Sequence, residues 1–145
     1  MTIAELLTPV VSGQILCLIF LAILFLQSGI DKVLDYKGNK EWLTGHFANS
    51  PLKGTVGMLL PTITVLELAA GMLCAVGVVM LVVSGANTIG LLGAQLSALS
   101  LICLFFGQRV AKDYPGAATL TTYFLIAIAA IYLLTFEIDP MTAHP

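Results

Sequence analysis

Four long apolar segments, 12–30, 55–83, 89–108 and 117–136, make up most of the chain. A bilayer core about 30 Å thick is crossed by a helix of about 20 mostly apolar residues, and all four segments meet that length. A soluble domain, by contrast, needs roughly a quarter of its residues charged to coat its surface. Of the 145 residues here, 10% are charged and 59% are hydrophobic, with a mean hydropathy of +1.02. The expected fold is an all-α membrane protein. It is a single domain over 1–145, a four-transmembrane-helix bundle with one sizeable polar loop at 31–54. With no basic patch there is no footprint for nucleic acid, and the first partner is the lipid bilayer.

The first segment is interrupted only by Gln14 and Gln27. It reads as a retained helix and not a cleaved signal: residues 1–13 lack Lys and Arg, and no A-x-A-type site follows. The second segment is about 43 Å long at 1.5 Å per residue, so it must tilt or bend, with Pro61 as the natural place. Asp31 and Lys32 close the first helix. Residues 84–88 form a tight uncharged turn, and 109–116, with Pro115 and Gly116, separate the last two spans.

Lys32, Lys37, Lys40 and Lys53 lie in the first loop, Arg109 and Lys112 in the third. All six cations therefore fall on one side, which the positive-inside rule assigns to the cytoplasm of an inner (plasma) membrane. Both termini are then expected outside the cytoplasm. Within 38–50, Trp42, Leu43, His46 and Phe47 share one helical face, with Asn39 as the expected N-cap and Ser50-Pro51 as the stop. The spacing predicts a short interfacial helix in the first loop.

Glu67 is the charged residue inside a span. Counted from Thr55 it falls near mid-membrane, where a carboxylate must face the bundle interior, pair, or stay protonated. It reads either as a functional site or as a hydrogen-bonding group that glues helices together. Depth separates it from Lys32, so a direct ion pair requires a tilted helix or a hydrated cavity. Gln27, Asp31 and Lys32 on the first helix and Tyr123 on the fourth are its candidate companions, with Gln95, Ser97 and Ser100 on the third. Small residues four apart, Gly93 with Ser97 and Gly71 with Ala75 among them, permit close packing within the chain or between copies.

Several chemistries have no residues to carry them. His46 and His144 both lie outside the spans, so no intramembrane histidine pair is available for haem. Cys17, Cys74 and Cys103 are isolated, without a C-x-x-C, and no P-loop, H-E-x-x-H or serine elbow occurs. No metal site and no intrinsic cofactor is expected. Any redox group belongs to a partner or to a diffusible quinone.

Two stretches carry a resemblance. Phe25 to Lys32 closes on Gly29-x-x-Lys32, and Leu66 to Gly77 places Glu67 four residues before Gly71. Both resemble the first and second helices of the DoxX family, with Ala70 standing where members often have another glycine. The resemblance implies a small membrane subunit working beside a redox or sulfur- and quinone-handling enzyme complex. Lys32 and Glu67 would be its signature polar pair, and Gly29 and Gly71 its packing positions. An enzymatic role is then at most that of a subunit without its own cofactor. Two other readings stand beside it: a small proton-coupled transporter, and a structural accessory subunit. Partners are other membrane or redox subunits, or further copies of the chain.

Overall fold

The computed structural model describes residues 1–137; His144 and the end of the C-terminal tail lie outside the described residues. The described chain is helical: α1 (Ile3–Leu6), α2 (Pro9–Leu34), α3 (Tyr36–His46), α4 (Val56–Ser84), α5 (Thr88–Val110) and α6 (Tyr114–Leu133). α2, α4, α5 and α6 are each long and apolar enough to cross a membrane, so the protein is a multi-pass bundle of four spans.

The helix ends differ from the sequence expectation in instructive ways. α2 begins three residues before Ser12, because Pro9 stands at the first helical position where its missing N–H is no loss. It also runs on to Leu34, so Asp31 and Lys32 lie inside the helix instead of closing it. α6 starts at Tyr114 and ends at Leu133, earlier at both ends than 117–136. Pro115 and Gly116, read as a separator, form its first turn, and Asp113 caps that turn by accepting from the Gly116 N–H at 3.0 Å. α3 is capped by Asp35, which accepts from Gly38, and not by Asn39. Asn39 lies within α3, its amide donating back to the Asp35 carbonyl at 2.8 Å.

α2, α4, α5 and α6 pack in a ring in that order. The small residues are used inside the chain. A Cβ at Gly93 would stand 2.7 Å from the Cys74 backbone nitrogen, and one at Gly77 would overlap the Gly90 backbone. Gly71 likewise sits against the Leu26 backbone, and Gly29 against the Leu68 side chain. In a bilayer, where apolar surface gains little from leaving lipid, such close backbone approach supplies the attraction. α6 is the most peripheral span, with 17% of its apolar window buried against 39% for α5. Polar groups hold its C-terminal end. Gln14, fully buried, donates to the Leu133 and Phe136 carbonyls at 2.8 and 3.1 Å. Asn87 donates to Leu134 at 2.7 Å.

At the opposite, cation-bearing end, Phe47 follows α3 and is buried between α4 and α5. It packs on Val56 and Leu60 and touches the Gly107 region. The four residues expected to share a helical face do so. Trp42 stacks on His46 at 4.5 Å, His46 meets Phe47 edge-on at 5.2 Å, and Leu43 packs beside Phe47.

Candidate functional site

Register between α2 and α4 decides the site. Gly29 lies against Leu68 and Gly71 against Leu26, so Lys32 falls level with Val65 on α4. Glu67 is then only two residues away, about 3 Å along the helix axis. The two charges meet directly, Lys32 Nζ to Glu67 Oε2 at 2.9 Å, with Glu67 1% and Lys32 15% exposed. The depth gap expected from sequence does not exist. It presumed that both helices begin at one level, whereas the first turns of α4 extend past the end of α2 to meet Phe47 and the residues before Val56. Glu67 itself is the twelfth of the 29 residues of α4, as counted from the sequence, and the Gly77–Gly90 and Cys74–Gly93 contacts set it level with Ser100 near the middle of α5. Only against α2, the shorter helix at this end, does it stand about one turn from the terminus at Leu34.

Ser28 completes the cluster. Its hydroxyl donates to Glu67 Oε2 at 3.1 Å and accepts from Lys32 Nζ at 2.8 Å. Lys32 also reaches the Ser28 carbonyl at 3.4 Å, so its ammonium has three acceptors around it. Sequence reading passed over Ser28, although its spacing of four from Lys32 put both on one face of α2. A buried carboxylate with a cation and a hydroxyl on one oxygen is held in place from two sides and kept from lipid.

The other expected companions lie elsewhere. Gln27 is exposed and donates to Asp31 at 2.8 Å on a different face of α2. Tyr123 packs against Phe20, ring centres 6.1 Å apart, and bonds to none of the three. Gln95 is exposed. Ser97 and Ser100 are buried and donate to the Gly93 and Leu96 carbonyls of their own helix, Ser97 also lying 3.6 Å from Cys74 Sγ. Gly29, Gly71, Gly93 and Ser97 do hold packing positions in the core.

Beside the cluster is a cavity of about 440 Å³ between α3, α4 and α5, with Lys32 in one wall. Its far wall carries a second polar contact, His46 Nε2 to Gln108 Oε1 at 2.6 Å, with Asp113 Oδ2 3.9 Å from the same nitrogen. Among the described residues no three His, Cys, Asp or Glu side chains gather as metal ligands. Comparison with family models, with curated proteins and with solved structures finds no match.

Proposed function

We propose that the chain is an integral membrane subunit of DoxX type that serves a redox or sulfur- and quinone-linked enzyme complex. In this reading the membrane is the inner (plasma) membrane, the cation-bearing end faces the cytoplasm, and both termini lie on the other side. The observation that carries it is the buried Lys32–Glu67 pair at 2.9 Å, with Ser28 bridging it. Ionisable groups so buried in a span are costly, and function is the default reason to keep them. Gly29 and Gly71, the other two residues of the resemblance, set the register that brings the pair together. The partner subunits supply the redox cofactors, and a membrane quinone carries the electrons between them.

Purification from native membranes with partners intact tests this. The expected result is co-purification of a redox subunit together with bound quinone. Glu67→Gln should leave assembly intact and lower the activity of the parent complex. A monodisperse preparation with neither partner nor quinone would overturn the reading, and a silent Glu67→Gln would reduce the chain to a structural accessory.

A proton-coupled transporter is the second reading, favoured by the same buried carboxylate. It requires a substrate-dependent proton flux in liposomes that Glu67→Gln abolishes.

A further inference from the structure

The cavity beside Lys32 is mostly apolar, and its volume of about 440 Å³ lies in the range of small-molecule sites, roughly 300–1,000 Å³. Leu59, Leu60 and Ile63 form the α4 wall, and Phe47 closes the inner end. The outer rim is Thr62, Ile102 and Phe106, all on the lipid-facing surface, the last two 52% and 60% exposed. A ligand therefore enters sideways from the bilayer, between α4 and α5 and beneath α3.

Thr62 on the rim donates its hydroxyl to the Met58 carbonyl of its own helix, and two further polar places face this space, which differ. Lys32 already meets three acceptors, Glu67 Oε2, Ser28 Oγ and, more distantly, the Ser28 carbonyl. An anionic head there would have to compete with the buried Glu67 carboxylate. The His46–Gln108 contact leaves capacity open. Gln108 Oε1 only accepts, so His46 donates from Nε2. The Gln108 NH2 donors have no partner among the described residues. We propose that this cavity binds an uncharged amphipathic molecule from the bilayer. Its apolar chain or ring lies against Leu59, Leu60 and Ile63, and its hydrogen-bond-accepting head, a carbonyl or ester, meets the Gln108 amide at the α3 side. It is a site separate from the Ser28–Lys32–Glu67 cluster and holds whether or not the chain serves a redox complex.

Photolabelling of the full chain in phosphatidylcholine nanodiscs tests it. Two probes share one diazirine-bearing alkyl chain: a monoacylglycerol ester, and the alkane without a head. The ester probe should label segments 59–66 and 102–108 saturably, with half-saturation about tenfold lower than the alkane's, the worth of one buried hydrogen bond of about 1.4 kcal/mol. Gln108→Leu should bring that ratio close to one while alkane labelling persists, which a mere detachment of α3 would not do. Ile63→Trp, which fills the cavity, should abolish both, whereas Leu125→Trp, on the far α5–α6 face, should change neither. Competition by unlabelled monoacylglycerol or by a decyl-chain quinone then separates a lipid ester from a lipid-soluble carbonyl compound, and either one supports the site. Non-saturable labelling spread over all four spans means bulk lipid only and overturns it. So does a tenfold ratio that survives Gln108→Leu, a carboxylate-headed probe that outcompetes the ester, or a failure of both competitors.

Discussion

The two ends of the α4–α5 pair are built on opposite plans. Near the α4–α5 turn, Gly77 faces Gly90 and Gly93 faces Cys74, and the backbones touch with no room for a methyl group. Toward the cation-bearing end the same two helices stand apart. Phe47 is lodged between them, a cavity of about 440 Å³ opens beside it, and an ion pair is buried next to that. One end is closed by removing side chains; the other is held open by inserting one. Packing in lipid depends on dispersion between close surfaces, so a bundle that seals tightly at one end can afford a void and a buried charge pair at the other.

Removing half of the ion pair should have the largest effect. Lys32→Met leaves Glu67 buried without its cation, at a cost of about 4 kcal/mol. Replacing both, Lys32→Met with Glu67→Leu, should recover stability to within about 1 kcal/mol of the parent. Equilibrium unfolding in mixed micelles reads both. If the double variant is as unstable as the single one, the cluster holds the fold through Ser28 as well as through charge.

Phe47→Ala should cost about 3 kcal/mol, the usual loss for truncating a buried aromatic residue. Hydrogen exchange should rise across Tyr36–His46 and stay unchanged at Gly90. An equal rise at both ends would mean that the two ends are not independent. The closed end responds to the reverse operation. Gly77→Ala inserts a methyl into the Gly90 backbone and should cost about 2 kcal/mol by overpacking, with a lowered melting temperature and the His46–Gln108 contact retained.

The smallest effect belongs to α1. The Thr2 backbone N–H, then its hydroxyl, hold the Glu5 carboxyl below its ordinary value of 4.5. A lowered carboxylate pKa stabilises fully above the ordinary value, and that contribution fades as pH falls through the lower folded one. Amide protection at Glu5 and Leu6 should therefore be flat near neutral pH and decline only in acid. Glu5→Gln, which has no carboxyl to titrate, should remove the pH dependence. Protection unchanged down to strong acid would show that the capping box does not hold α1.

The spans and the gathering of cations at one end were legible in the sequence. So was the surface helix with Trp42, Leu43, His46 and Phe47 on one face. Each follows from local composition or from helical periodicity, which a single chain segment carries by itself. The site was half legible. Glu67 and Lys32 stood out because charge in or beside an apolar run is conspicuous, but Ser28 did not, because a serine in a span is ordinary. Gln27 and Tyr123 were plausible by polarity and proved to point elsewhere.

Whether Lys32 and Glu67 meet was decided by the tertiary structure alone. Helix depth depends on how far α4 extends past α2, and that offset is set by Gly29 against Leu68 and Gly71 against Leu26, contacts between residues about 40 positions apart. The cavity is of the same kind: no segment encodes it, and it exists because Phe47 lies between two helices that glycine holds together at their far end. Sequence determines which residues must avoid water, since that is a property of each side chain. Which of them touch is a property of register, and register is settled only when the backbones pack.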